Sequence, residues 1–246
     1  DVALQAEALR LRGSLSHVAG RIEDARLELG RAVDLLRHAE HPALLAQALR
    51  IRGFIEMFGG SLVDAEWFFG EADGLYQSLA DERGLAYIEQ HRAWIAFLSG
   101  DLQLARERLT HAADIHNRLG DRNGTGWAFG LLAFVEFFEG RFTEAESLAE
   151  IVGAEAAQRG DVWAASMMNT LMADLRLWQG KLDEAADFAE KARSKFKQLN
   201  DKFGLVQSMA PLIRAQVALG RSAAAQRTAE ELLTLAETAQ NGPYPR

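Results

Sequence analysis

Glycine stands at positions 20, 60, 100, 140, 180 and 220, and alanine at 25, 65, 105, 145, 185 and 225. Two residue types returning together at an interval of 40, with no drift, leave little choice of architecture. A chain that restates one short phrase builds one supersecondary unit several times over, and that reading takes precedence over any other. The phrase itself is visible in "SGDLQLA", "EGRFTEA" and "QGKLDEA", each forty residues after the last.

The pattern around the glycine describes a helix pair. Before it runs a segment of helical spacing. Ile88, His91, Ile95 and Leu98 fall on one stripe in the third repeat, and Ala128, Leu131, Val135 and Phe138 do so in the fourth. Glycine ends that helix because it tolerates the left-handed conformation at a helix C-terminus. Two residues on comes an apolar position (Ile22, Leu62, Leu102, Phe142 and Leu182, with Ser222 as the exception), where a second helix starts. The recurring alanine then lies one turn inside the second helix, where a methyl group lets two helices approach closely. A second small position follows at Ala32, Ala72, Ala112 and Ala192, replaced by Val152 and Leu232. Asp81, Asp121, Asp161 and Asp201 share a register at the junctions, and each is placed to cap the next helix. The expectation is a single all-α domain over residues 1–246. It is a right-handed solenoid of six antiparallel helix pairs, at about 3–41, 42–81, 82–121, 122–161, 162–201 and 202–240. A lone pair cannot bury its apolar face, so the pairs stack.

Composition narrows the function. Hydrophobic residues make up 48% of the chain, enough for a substantial core, and the 25% that are charged argue against disorder. With no cysteine, disulfides, thiolate nucleophiles and cysteine-bound zinc are excluded, which suits a cytoplasmic protein. "WAFGLLAFVEFF" and "AWIAFL" are too short or too interrupted to span a bilayer, and no signal peptide opens the sequence. A net charge of −8 repels a phosphate backbone, so no direct nucleic-acid contact is expected. The chain begins at Asp1 rather than Met, and is expected to be a piece of something longer.

Helix, glycine turn, apolar residue, alanine, helix, small residue: this order resembles the tetratricopeptide repeat. The resemblance rests on Gly13 and Gly53 (Ala93, Ala133 and Ala173 in later repeats), the turn glycines and the recurring alanines, and covers roughly residues 3 to 240. The common period is about 34, so a period of 40 lengthens the helices by nearly two turns in total. Forty-residue units with junctions such as "LGDRNG" are similar to the arrays of MalT-like and AfsR-like bacterial transcriptional activators, where the array joins a nucleotide-switch domain and a DNA-binding domain. The resemblance implies that the first helix of each pair lines a concave face. It also shows a departure. The position four before the turn glycine, usually a large aromatic, holds Ser16, Glu56, Ala96, Glu136, Arg176 and Gln216. That implies first helices rotated relative to the common repeat.

Positions that vary at a fixed register are where binding specificity can reside. Six residues before the turn glycine the chain has Ser14, Phe54, Trp94, Phe134, Asp174 and Arg214; three further on it has His17, Met57, Phe97, Phe137, Leu177 and Val217. The second to fourth repeats thus offer a tract of Phe54, Met57, Trp94, Phe97, Phe134 and Phe137, which Tyr87 and Trp127 extend. On one reading this is a groove for a peptide, a helix or a small ligand, with tryptophan and tyrosine as its hot spots. On the other, the rings pack between helices. Arg10, Arg50 and Gln90 flank the tract on one side, Asp174 and Arg214 on the other. Arg10 and Arg50 are candidates for holding a carboxylate or phosphate, or else form solvated surface. The lysine and asparagine set with which some tetratricopeptide domains clamp a chaperone's C-terminal carboxylate has no counterpart here.

Other patterns point away from chemistry. "RGD" at Arg159–Asp161 is a junction between repeats, and "GDRNGTG" lacks the lysine and preceding strand of a phosphate loop. His38 with His41, and His111 with His116, come without a third ligand. Glu144 with Glu146, and Asp183 with Glu184, sit at helix starts, where negative charge favours the dipole. Trp67 of "WFFG" turns away from the core register of Phe69, toward a dimer contact or a neighbouring repeat. "EELLTLAE" gives the last helix leucines that suit continuation of the array or a homodimer through the terminal repeat. The expectation is a non-catalytic module without cofactor or metal. Its partner is a protein or peptide segment in the concave groove, and it forms the regulatory or scaffolding part of a larger bacterial signalling protein. The alternative is a small-molecule effector-sensing domain of a MalT-like or AfsR-like regulator.

Overall fold

The computed structural model describes residues 1–59 and 61–239, with side chains described to residue 235. Among these residues there are twelve α-helices and no strand. They are α1 (Val2–Val18), α2 (Ile22–Arg37), α3 (Pro42–Phe58), α4 (Leu62–Ser78), α5 (Glu82–Leu98), α6 (Leu102–Arg118), α7 (Arg122–Phe138), α8 (Phe142–Arg159), α9 (Val162–Trp178), α10 (Leu182–Leu199), α11 (Lys202–Ala218) and α12 (Ser222–Ala239). Each begins 20 residues after the last, so the 40-residue repeat is made of two equal halves.

Stop signals at that spacing set the helix lengths. Gly20, Gly100, Gly140, Gly180 and Gly220 take φ between +71° and +82° after the first helices. Gly60, expected to do the same, lies outside the described residues. The second helices stop on left-handed residues too: Ala80 (φ 51°), Gly120 (66°), Gly160 (73°) and Asn200 (54°). The junction aspartates cap as expected. Asp81 accepts from the Gly84 amide at 2.9 Å, Asp121 from Gly124 at 3.0 Å, Asp161 from Ala164 at 3.0 Å, and Asp201 from Phe203 at 3.1 Å.

The chain divides into two compact units, residues 1–124 and 125–239. In the N-terminal unit α1 pairs with α2, α3 with α4, and α5 with α6; α2 then packs on α3, and α4 on α5. The first helices also touch one another, α1 on α3 and α3 on α5, whereas among the described residues no such contact joins α2, α4 and α6. The first helices therefore form the tighter row. In the C-terminal unit α9 pairs with α10 and α11 with α12, while α8 packs on α9, α10 on α11, and α9 on α11.

Close approach explains the recurring small residues. Ala25, Ala65, Ala105, Ala145 and Ala185 have no exposed surface, and the same holds for Ala32, Ala72, Ala112 and Ala192. Larger side chains would overpack these crossings by about 1–3 kcal/mol each. Elsewhere volume is traded between neighbours. A Cβ on Gly84, Gly124 or Gly204 would run into the ring of Tyr76, His116 or Phe196 respectively. Where the ring is replaced by Ala156, the glycine is replaced by Ala164, one repeat register along. Gly53 likewise gives way to Phe69, whose Cε1 would lie 2.6 Å from an added Cβ. In the last described turn Leu233 is exposed, but Leu232 and Leu235 pack onto the core of the C-terminal unit.

Candidate functional site

In the N-terminal unit the aromatic register becomes a ladder of rings across three first helices. His17 on α1 lies 5.5 Å from Phe54 on α3, ring centre to ring centre; Phe54 lies 4.8 Å from Phe58, Phe58 5.6 Å from Trp94 on α5, and Trp94 6.2 Å from Phe97. Residues three and four apart share a helix face, which is why α3 and α5 each contribute two rings. Phe54, Phe58, Trp94 and Phe97 are all half-buried. Phe58 lies outside the expected tract, although its register is apolar throughout: Val18, Leu98, Phe138 and Trp178. Met57 needs correction. It is 3% exposed and belongs to the core with Ala65 and Phe69. A step of one residue turns a helix by about 100°, and that step takes Met57 off the face that Phe58 occupies.

The polar end of the ladder is organised around Arg50. Its guanidinium lies over the Tyr87 ring at 4.7 Å, and its Nη1 is 3.2 Å from Nε2 of His91. His91 is buried, stacked on Phe69 at 5.3 Å and 24°, and 5.2 Å from Phe54. Burial drives the His91 pKa well down, and the charge of Arg50 adds to that, so the imidazole is neutral. Tyr87 donates its hydroxyl to Asp121 Oδ2 at 3.0 Å. Burial and then the Asp121 charge push the Tyr87 pKa up to about 12. Burial works against the Asp121 carboxylate, yet the Gly124 amide and the Tyr87 hydroxyl hold its pKa below the usual value. Asp121 thus caps α7 and orients Tyr87 at once. Arg10 sits apart from this cluster: Glu7 bonds its Nε at 2.7 Å and raises its pKa, so its fork is already filled.

The C-terminal unit uses the same registers differently. Phe134 and Phe137 are half-buried against a core of Met167, Met168, Leu171 and Met172. Phe137 lies 5.5 Å from Phe142, which stacks on Trp178 at 5.3 Å. Trp127 stacks on Trp163 at 4.9 Å and 13°, and Trp163 donates to Asp201 at 2.7 Å. Asp174 on α9 meets Arg214 on α11 at 3.1 Å. Burial pushes the Asp174 pKa up to about 6, only partly opposed by Arg214. The expected tract is therefore brought together in two sets, Phe54, Tyr87, Trp94 and Phe97 in one unit and Trp127, Phe134 and Phe137 in the other.

At the unusual register four before the turn glycine, Ser16, Glu56, Glu136 and Arg176 are buried polar residues. Glu56 accepts from Arg26 at 2.7 Å and pairs with Arg52 at 2.6 Å, while Arg26 also donates to the Gly59 carbonyl at 3.1 Å. Arg176 pairs with Glu146 and, at 3.0 Å, with Glu184. Glu136 pairs with Arg141. Ion pairs thus stand where an aromatic is usual. Buried pairs of this kind add little net stability, but losing one partner is costly. Arg26–Glu56 and Arg176–Glu146 tie one hairpin to the next, while Glu136–Arg141 closes its own turn. Among the described residues no group of three possible metal ligands occurs. A shallow recess of about 320 Å³ is lined by Arg37, Leu45, Leu49, Glu71, Gly74 and Leu75, none of them a ring of the ladder.

No protein-family model and no curated protein sequence matches the chain. Solved structures do. A signal-transduction ATPase with numerous domains and a tetratricopeptide repeat sensor, from Pyrococcus horikoshii, is similar over 96% of this chain and 36% of its own, at 14% identity and a TM-score of 0.64. Aspartyl phosphate phosphatase F of Bacillus subtilis is similar over 100% of this chain and 63% of its own, at 12% identity and a TM-score of 0.74. The Rap conjugation gene regulator of the plasmid pLS20, in complex with the Phr* peptide, is similar over 94% and 66%, at 18% identity and a TM-score of 0.66. This chain spans just over a third of the first of these and under two-thirds of the second. At such identities the likeness is one of fold, and that fold is the tetratricopeptide type, built of antiparallel helix pairs.

Proposed function

We propose that the chain is a non-catalytic interaction module whose partner is a peptide segment lying across α1, α3 and α5. The observation that carries this is the ladder from His17 to Phe97: contiguous, partly exposed rings on the row of first helices, with Phe54, Phe58 and Trp94 resting on the core of the N-terminal unit. Aromatic surface of this kind offers large contact area at small entropic cost, and a few such residues dominate most interfaces. An apolar side chain of the partner rests on Phe54, Phe58 and Trp94. The fold likeness to a regulator held with a peptide supports the same reading. So does the partial exposure of the rings, which suits a segment laid along a surface better than a sealed small molecule.

As a wider context we infer a regulatory or scaffolding part of a bacterial signalling protein, working in the cytoplasm. Among the described residues no helix is long and apolar enough to cross a membrane. The similarity to the sensor-bearing ATPase is the one observation that favours the second reading, an effector-sensing domain of a transcriptional regulator.

An array of random dodecapeptides, probed with the wild-type chain and with Phe54→Ala and Trp94→Ala, tests the proposal. The wild type should select sequences sharing an apolar anchor. Both variants should lose that selection by at least about tenfold, a loss of about 1.4 kcal/mol, while keeping wild-type helicity. Unchanged selection, or loss of fold without a specific effect on binding, would return the rings to the core.

A further inference from the structure

Most half-buried arginines of the N-terminal unit hold a carboxylate. Arg10 holds Glu7, Arg26 and Arg52 share Glu56, Arg92 holds Asp73 at 2.7 Å, and Arg108 holds Glu89 at 3.1 Å. Arg50 is likewise half-buried and has no acidic partner within 4 Å among the described residues. Its surroundings are the Tyr87 ring, the neutral His91 imidazole and the Tyr76 hydroxyl, which accepts a hydrogen bond from it, while its buried Nε has no acceptor. A cation withdrawn from water without a counter-charge is costly, so the arrangement needs a reason. Stacking on Tyr87 supplies one. It fixes the plane of the guanidinium and so lowers the entropy lost when the fork closes on an oxyanion. Phe54 follows one turn later on the same face of α3, so charge and ring are adjacent.

We propose that Arg50 is the anion-binding residue of this face, taking a carboxylate of the peptide partner, from an acidic side chain or a C-terminus, while the adjoining apolar side chain lies on Phe54. This rests on the peptide-binding reading and deepens it. Asp121, bonded to the tyrosine on which Arg50 rests, favours a monoanion over a doubly charged phosphate. Arg10 is not a second prong, because Glu7 occupies it.

A matched pair of probes tests the assignment: N-acetyl-phenylalanine, which carries a carboxylate, and N-acetyl-phenylalaninamide, which does not. Both are titrated into the full chain by NMR, with the Trp94 indole and the α3 amides as reporters. The carboxylate should bind the wild type about tenfold tighter than the amide, as expected for a charge-assisted hydrogen bond. Arg50→Gln should erase that preference, while Arg10→Gln should leave it. Arg50→Lys keeps the charge without the planar fork and should reduce the preference several-fold, which serves as the test should Arg50→Gln fail to fold. Equal binding of the two probes would overturn the role of Arg50 and leave the aromatic face standing. Perturbation of Trp94 by neither probe would remove the face and Arg50 together. Inorganic phosphate binding at Arg50 more tightly than the aromatic carboxylate, and unaffected by Phe54→Ala, would replace the peptide carboxylate by a free anion.

Discussion

The two compact units write the same repeat and put different side chains on it. In residues 1–124 the register of Phe54 and Trp94 carries rings, beside a stacked Arg50 without an acid and a neutral His91. In residues 125–239 the same register runs from Phe134 to an Asp174–Arg214 pair over a methionine-rich core, and Trp127 is taken up by Trp163. The frame of turn, alanine and cap hardly changes between them. What changes is the exposed face of the first helices. A repeat scaffold thus separates two demands: positions that recur hold hairpins together, and positions at one register are left free to vary.

The largest effects should come from the frame, and they should be alike in both units. Phe196→Ala alone should cost about 3–5 kcal/mol through the cavity it leaves. Gly204→Ala alone should cost about 1–3 kcal/mol because the new methyl meets the Phe196 ring. The double variant reproduces the native Ala156 and Ala164 combination, so it should be more stable than the sum of the two by at least about 1 kcal/mol in urea unfolding. Strict additivity would break the idea of paired volumes. The equivalent pair in the N-terminal unit is Tyr76 and Gly84.

Next comes a charge that only the C-terminal unit buries on this register. The folded pKa of Asp174, raised to about 6, lies above that of an unfolded aspartate, near 3.9. The folded state therefore holds the proton more tightly, and ionised Asp174 weighs against folding at every pH above about 6. That penalty fades as the pH falls from about 6 toward the unfolded value. Asp174→Asn should stabilise the chain by about 1–3 kcal/mol at pH 7.5 and by almost nothing at pH 4, read from denaturation midpoints. A gain of equal size at both values would contradict the burial argument.

The smallest effect sharpens the comparison at the turns. Ala80 closes α4 with φ 51°, where Gly160 closes α8 with φ 73°. Ala80→Gly should stabilise by up to about 1 kcal/mol and Gly160→Ala should destabilise by a similar amount, both seen as shifts in melting temperature.

These outcomes also show which parts of the molecule were legible in its residues. The helix starts follow from the forty-residue period because glycine and aspartate mark them chemically. The half-period of 20 was harder to see, since two of its left-handed stops are Ala80 and Asn200 rather than glycine. Met57 and Phe58 are neighbours of similar hydrophobicity, and only the packing of α3 decides which one faces the ladder. Glu56 meets Arg26 across a hairpin boundary, 30 residues away, so neither charge advertises the other along the chain. The aromatic register was plain; that Arg50 would rest on Tyr87 of the following repeat depends on how α3 and α5 stack.

The most direct test of the central contrast is hydrogen–deuterium exchange of the full chain with and without an array-selected peptide. Protection should rise over residues 47–58 and 87–98 and stay unchanged over residues 127–138 and 167–178. Protection gained in the second pair of segments, or spread evenly over all four, would contradict the assignment of recognition to the N-terminal unit.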